Sequence, residues 1–322
     1  MLSRVADSLY WMSRYLERAE HTVRLLDVNF AMTLDRSITS ADTRWRRLLL
    51  ALGHSAEEWD GDSHALVHGL THNERRHNSI KYCISNAREN ARQVREEISS
   101  EQWLQLNRLY HLVNDQLQAK DDPLSEEFLG AVLDGLHLFQ GVTDTTMSHG
   151  EGWQFIQIGR SIERACSVAT LLNVHEVATS SSLTGQEEQL VGSHHFVEWI
   201  GLLRCCTAFE AYCNVYTADL VESQILEFLL LNKDFPHSVR YSVDSLRSAL
   251  LALEHESGRL APQELVRVAG RLQSALQFVE VSDVLLGGVD EFLQMVLREC
   301  TRIHNLIYRD YIHYSVETAL AM

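Results

Sequence analysis

The chain has 322 residues, of which 45% are hydrophobic, and a formal net charge of −16. That length holds one large domain or two ordinary ones, with ample apolar matter for a core. An acidic surface repels a phosphate backbone, which argues against nucleic acid as a partner, and the absence of any run of about 18 apolar residues argues against a membrane span.

In chain order, apolar residues recurring with helical period predict helices near 3–34, 41–53, 63–72, 77–98, 101–119 and 124–147. A break follows at Ser148-His149-Gly150, and further helices are predicted near 151–174, 194–219, 221–232, 237–256, 262–280 and 288–318. The expected fold class is all-α: a single domain of two pseudo-symmetric multi-helix repeats, 1–147 and 151–322. Residues 54–62 read as a short loop, and 176–193 (EVATSSSLTGQEEQLVGS) as a longer surface loop. Of three prolines, Pro123 and Pro262 stand where a helix would start. The opening lacks a basic flank followed by an apolar stretch, so no secretory signal is expected. Six cysteines form no CxxC pair and lie in apolar helical stretches, which predicts buried, reduced thiols in a cytoplasmic protein.

The charge is uneven. Residues 1–110 carry 15 Lys+Arg against 15 Asp+Glu, and residues 111–322 carry 13 against 29. Only Lys81, Lys120 and Lys233 among the 28 basic residues are lysine. Arginine offers a planar fork that suits a carboxylate or phosphate, although a GC-rich genome produces the same bias without any recognition role.

The two halves share sequence. LYWMSRYLERAEHTVRLLDV at 9–28 aligns without gaps to FIQIGRSIERACSVATLLNV at 155–174, which pairs Arg14, Glu17 and Arg18 with Arg160, Glu163 and Arg164. Trp45-Arg-Arg-Leu-Leu then parallels Trp199-Ile-Gly-Leu-Leu, and Asn73 with Ser79–Ile84 parallels Asn232 with Ser238–Val243. The offset grows from 146 to 154 to 159 residues, as loop insertions between matched helices would make it. Two copies suit a closed pair better than a solenoid.

On a helical wheel of about 100° per residue, Leu9, Met12, Leu16, Ala19, Val23 and Leu26 form one apolar face. Arg14, Glu17, Arg18 and His21 lie opposite, bracketed by Tyr10, Trp11, Leu25 and Val28. A charged row between apolar residues predicts contact with another helix. Buried charge is costly unless paired, so the economical arrangement is reciprocal: Arg14 or Arg18 near Glu163, and Arg160 or Arg164 near Glu17. A ligand site built from the same arginines, or a plain solvated face, is the alternative.

Other signals are weaker. His64, His68 and His72 recur at four-residue spacing near Asp60, Asp62, Glu74 and His77, a pattern that could face a metal. Gly69 interrupts that helix, however, and Leu231 stands where a second His72 would be. Glu74 and His77 match an ExxH pattern, yet their counterparts are Lys233 and Pro236, so a di-iron bundle lacks its second half. No metal and no cofactor is therefore expected, and no phosphate-binding loop, nucleophile elbow or HExxH is present.

Three segments together carry a family resemblance: MLSRVADSLYWMSRYLERAEHTVRLLDV at the start, ARENARQVRE at 87–96 followed by Trp103 and Asn107, and FLLLNKDFPHSVRYSV at 228–243. The chain resembles the bacterial alpha-E domain family over nearly its whole length. The resemblance implies an all-helical protein encoded beside a circularly permuted ATP-grasp ligase and a transglutaminase-like cysteine protease. It implies a role in an amide- or peptide-forming system whose ATP chemistry the ligase carries, the protease being a second partner and a homo-oligomer remaining open. The family's motif positions fall on Arg14, Glu17, Arg18, Arg88, Glu89, Asn90, Arg92 and Arg95. One departure is His72-Asn-Glu-Arg-Arg-His77, where the family often has a proline-containing turn. The function expected is that of a non-ATP-binding partner that binds the ligase, a carboxylate substrate or a peptide product. The alternatives are a stand-alone enzyme using the Arg/Glu rows for carboxylate binding and proton transfer, and a metal-binding helical protein.

Overall fold

The structure, a computed structural model, describes residues 1–34, 40–115, 126–182, 191–217, 219–257 and 262–312. Among the described residues every regular element is helical and no strand occurs. The first half holds α1 (Ser3–Leu34), α2 (Ala41–Ala51), α3 (Ser63–His72), α4 (Ile80–Gln93), α5 (Ser100–Asp115) and α6 (Glu126–Thr146). The second holds α7 (Glu151–Ser182), α8 (Val191–Cys205), α9 (Phe209–Tyr216), α10 (Glu222–Leu231), α11 (Val239–Ser257), α12 (Gln263–Phe278), α13 (Val281–Gly287) and α14 (Val289–Ile307). A 3-10 turn lies at Ala56–Glu58 and a π-helical turn at Tyr308–Ile312.

The two longest helices, α1 and α7, pack side by side at the centre and run in the same direction. Tyr10 lies against Gly159, Glu17 meets Arg164, and Leu25 and Leu171 line one cavity. The approach is closest at Gly159, where a Cβ would stand 2.2 Å from Ser13 Oγ and 2.4 Å from the Tyr10 carbonyl oxygen. Only a residue without a side chain fits that crossing. The apolar face read from sequence is sealed: Leu9, Met12, Ala19, Val23 and Leu26 are fully buried. Each such large aliphatic side chain contributes about 1.5–3 kcal/mol.

Around this pair the layers follow one order on each side. α4 packs on α1, α5 on α4, and α6 returns against α5 and α1. α11 packs on α7, α12 on α11, and α14 returns against α12 and α7. α2 reaches α7, and α8 reaches α1, so the halves interlock. The turns before α4 and α11 also close alike. Ser79 and Ser238 donate their hydroxyls to the carbonyls of Asn73 and Asn232, and accept from the N–H groups of Tyr82 (3.1 Å) and Tyr241 (3.0 Å). The departure at His72–His77 thus keeps the serine–asparagine bond that the Pro236 turn makes.

Several boundaries differ from the sequence reading. α7 continues through Glu176–Ser182 and α8 begins at Val191, so much of the expected 176–193 loop is helical. The His175 ring packs at a tilt against Trp199, centroids 4.1 Å apart, and an established helix extends at one hydrogen bond per residue fixed. The expected helix 194–219 is broken. Thr207 adopts φ 51°, and the Leu203 carbonyl accepts from both Cys206 (3.1 Å) and Ala208 (2.8 Å). The reversal carries Tyr212 into the core, where its hydroxyl donates to the Asp219 carbonyl at 2.8 Å. α4 ends at Gln93, short of 98, because Val94 leaves helical geometry and both Val94 and Ile98 are buried. α13 was not expected; Gly288, at φ 97°, separates it from α14. Residues 116–119, 124–125 and 313–318 of expected helices, Pro123, and 183–190 of the expected loop lie outside the described residues. Pro262 caps the start of α12.

Candidate functional site

The charged row of α1 faces the charged row of α7, and both glutamates are buried, Glu17 at 5% exposure and Glu163 at 6%. Arg14 Nε and Arg18 Nε donate to the two oxygens of Glu163, each at 2.6 Å. Arg164 grips Glu17 with both arms of its fork, Nε to Oε1 at 2.5 Å and Nη2 to Oε2 at 2.9 Å. Both carboxylates are therefore paired across the helix interface, as the desolvation argument requires. The solvated-face alternative is excluded for these residues.

The two crossings are not equivalent. Burial alone would push the Glu163 carboxyl up, but the charges of Arg14 and Arg18 and their hydrogen bonds outweigh it and hold the group at about 2. Glu17 has one arginine and lies near Glu20. There burial dominates, Arg164 offsets only part of it, and the carboxyl sits above its ordinary value. Glu20 takes Arg24 at 2.7 Å and Gln140 at 2.8 Å. His21 beside it is kept neutral by burial, which lowers its pKa to about 4.

Arg14 is enclosed on its far side. Its guanidinium lies 4.7 Å from the Trp11 ring centroid, and its Nη1 donates to Tyr10 Oη at 3.1 Å and to His304 Nδ1 at 3.1 Å. An arginine only donates, so Nδ1 of His304 is the accepting nitrogen, and the Tyr10 hydroxyl donates to it at 2.7 Å. Burial, reinforced by the Arg14 charge, lowers the His304 pKa to about 4.

Arg160, the counterpart of Arg14 in register, does not join Glu17. Its Nη2 donates to Gln157 Oε1, and the nearest carboxylate oxygen, on half-exposed Asp144, is 4.0 Å away. Burial, then repulsion from Arg164, lowers its pKa from the ordinary arginine value. It opens onto a cavity of about 210 Å³ lined by Gln140, Gln157, Arg160, Ser161 and Arg164 on one side and Pro236, Tyr241, Ser242 and Ser245 on the other. Gln157 is 7% exposed, and its Nε2 has no hydrogen-bond partner among the described residues.

The remaining motif positions lie on α4 or, for Arg95, just past its end, and of these Arg88 and Arg95 engage α5. Arg88 Nε donates to Asn107 Oδ1 at 2.6 Å, and its guanidinium stacks over Tyr110 (4.4 Å) and Trp103 (5.4 Å). Arg95 lies over the same Trp103 at 5.5 Å. Arg92 and Glu89 form an exposed ion pair at 2.6 Å, and Asn90 Nδ2 donates to the Asn86 carbonyl at 2.9 Å. None of these five residues lines the Arg160 cavity. Two residues that sequence reasoning passed over belong at the crossing. Gly159 is signalled only as a glycine inside a helical pattern, a mark of close approach. Gln157 is signalled only by replacing Trp11 in the alignment.

The histidine face is used within the chain. His72 Nδ1 lies 2.7 Å from Thr71 Oγ1, and the His68 and His72 rings stand 5.0 Å apart. Glu74 pairs with Lys81 at 2.7 Å. Among the described residues no group of three or more His, Cys, Asp or Glu converges to hold a metal ion. All six cysteines are free; Cys83, Cys205, Cys206 and Cys300 are buried, and burial pushes the Cys83 thiol up to about 12. No helix among the described residues is long and apolar enough to cross a membrane.

A family model, Alpha-E, described as a predicted alpha-helical domain with a conserved ER motif, matches residues 1–312. The dipeptide Glu-Arg occurs here at 17–18, 74–75 and 163–164, and the first and last are the crossed pairs. An uncharacterized protein of Mycobacterium bovis is 25% identical over 287 residues, covering 82% of this chain and 31% of the relative. Uncharacterized proteins from two strains of Mycobacterium tuberculosis match at 25% and 24% with the same coverage. The chain thus spans about a third of the length of the curated relatives it matches. No solved structure matches.

Proposed function

The chain belongs to the Alpha-E family, and from that premise we propose that it is the non-ATP-binding helical partner of an ATP-grasp amide- or peptide-forming ligase, with a transglutaminase-like protease as a further component. The resemblance supplies the class of partner. The observation that carries a partnered role is that the matched stretch fills only 31% of each mycobacterial relative. There this helical body is one part of a longer chain, which supports a domain that works beside other polypeptide.

The geometry favours an accessory or binding protein over a self-sufficient catalyst. A general base has to be free to take a proton near working pH. Glu163 is held at about 2 between two arginines, and Glu17 is locked to Arg164. The crossed rows brace α1 to α7. The matching order of packed helices and the matched turns at Ser79 and Ser238 support two helical repeats, 1–147 and 151–322, in one domain. Six free thiols suit a reducing, cytoplasmic setting.

The test is co-expression with the neighbouring ATP-grasp protein, affinity capture through a tag on the helical chain, and ADP release by the captured material. The expected result is co-purification and substrate-dependent ADP release that depends on the helical chain. Separate elution of the two proteins, with ADP release indifferent to the helical chain, overturns the proposal.

A further inference from the structure

We infer that the cavity beside Arg160 is a binding site for a terminal carboxylate of amino-acid size, such as the C-terminal residue of a short peptide. The inference stands on the cavity alone and does not need the ligase partnership.

Four observations carry it. First, Arg160 is the one arginine of the two crossed rows whose fork holds no carboxylate within hydrogen-bond distance; Arg14, Arg18 and Arg164 each hold one at 2.5–2.6 Å. Second, the Gln157 amide is buried and its Nε2 donor is unmet. A buried donor left unpaired is destabilising, a cost that an accepting ligand atom removes. Third, Tyr241, Ser161 and Ser245, each of which bears a hydroxyl, are among the residues that line the cavity. Fourth, the cavity volume of about 210 Å³ exceeds the roughly 150 Å³ that holds a benzene ring.

The charge balance selects the anion. Arg164 is held by both oxygens of Glu17, so Arg160, with its nearest carboxylate oxygen 4.0 Å away on Asp144, is the cation left facing the cavity. A planar monoanion matches one guanidinium fork through two parallel N–H···O bonds. A phosphate dianion would bring a second negative charge toward Asp144, 4.0 Å from the same guanidinium. The ligand's two oxygens would take the Arg160 fork, with the Gln157 amide donating to one of them.

The experiment is calorimetric titration of the full chain with four probes: N-acetyl-L-alanine, its amide N-acetyl-L-alaninamide, L-alanyl-L-alanine and inorganic phosphate. Saturable binding of N-acetyl-L-alanine and of the dipeptide is expected at millimolar strength, with the amide at least tenfold weaker. Arg160→Gln should lose that binding at least tenfold. Gln157→Glu places a carboxylate of the chain's own beside Arg160, so it should raise Tm and abolish carboxylate binding. That pairing of effects separates a ligand site from a merely structural residue, and it keeps the test sharp if Arg160→Gln fails to fold. Three outcomes overturn the inference: no saturable carboxylate binding by the parent up to about 10 mM, an order weaker than the affinity expected; equal binding of acid and amide; or phosphate binding tighter than carboxylate with the same Arg160 dependence. Loss of carboxylate binding in Arg160→Gln while the ligase still co-purifies keeps this inference apart from the partnership.

Discussion

Glu163→Gln should destabilise the fold more than Glu17→Gln, although the two residues are equivalent in the aligned sequence. Glu163 takes both Arg14 and Arg18, whereas Glu17 takes Arg164 alone. Neutralising Glu163 therefore strands two largely buried guanidinium groups, and breaking a buried pair costs about 3–5 kcal/mol. An independent route gives a similar size: the carboxyl is held at about 2 against an ordinary 4.5, and at about 1.4 kcal/mol per tenfold that favours the ionised form by about 3 kcal/mol. Glu17 works the other way. Its carboxyl is raised, so its ionisation is less favourable in the fold than in the unfolded chain, and the glutamine isostere relieves part of that while leaving one arginine unpaired. For 322 residues the unfolding entropy is about 0.7 kcal/mol/K, so 3 kcal/mol lowers Tm by roughly 4 °C. Urea melts and thermal scans of both variants beside the parent make the measurement. Equal losses, or a larger loss for Glu17→Gln, refute the asymmetry; parent-like melting of both refutes the structural role of the row.

Gly159→Ala should cost at least about 1–3 kcal/mol, because its Cβ would meet the Tyr10 carbonyl at 2.4 Å and backbone cannot swing aside. Gly141→Ala, exposed on α6 with nothing within 4 Å, is the control and should gain about 0.5–1 kcal/mol in the same urea melts. Stability should fall on acidification in two stages. His21, His72 and His304 have folded values lowered to about 4, so as pH drops below 6.5 the unfolded chain takes up protons first and stability is lost down to about 4. The depressed Glu163 then loses its contribution between about 4.5 and 2. A Tm that stays flat from pH 7 to 4, or a His21→Leu variant with an unchanged slope there, contradicts the first stage. Finally, residues 1–147 and 151–322 expressed separately should each be poorly folded, since each strands half of the crossed pairs, and co-expression should restore a helical complex; a cooperative melt from either half alone goes against this.

Much of the framework was legible because it rests on short-range signals. The apolar face of α1 and the bracketing of charge by Tyr10, Trp11, Leu25 and Val28 are local patterns. From them followed the buried, reciprocal pairing of Glu17 and Glu163 with arginines of the other helix. What stayed hidden depends on distant partners. The break at Thr207 has no glycine or proline to mark it; Tyr212 entering the core decides it. The extension of α7 past Val174 rests on His175 finding Trp199. The separation of Arg88 and Arg95 from the crossed row depends on α5 offering Trp103 and Tyr110 as stacking surfaces, which spacing within α4 cannot reveal.

The sequence reading placed either Arg160 or Arg164 on Glu17, and which of the two is chosen turns on residues next to the row. On α1, Tyr10 and Trp11 wall in Arg14, and His304 closes it from α14, so that fork can only turn to Glu163. On α7 the aligned positions are Ile156 and Gln157, which offer no aromatic wall. Arg164 alone satisfies Glu17 with two hydrogen bonds, and no carboxylate remains for Arg160 inside the interface. Its charge is left facing a polar cavity because two arginines per row meet one glutamate per row, and only one half has the rings to hold the surplus cation. A duplicated structural brace thereby acquires, on one side only, a cation with no close carboxylate next to an amide whose Nε2 donor is unmet. Replacing Gln157 with Trp, the residue at the aligned position on α1, should fill that space and cover Arg160 by stacking, as Trp11 covers Arg14. Fluorescence of the new indole, quenched or shifted relative to the parent, would report the burial. A variant that folds normally yet leaves residue 157 fully solvent-exposed would show that the neighbouring residues do not govern which way Arg160 turns.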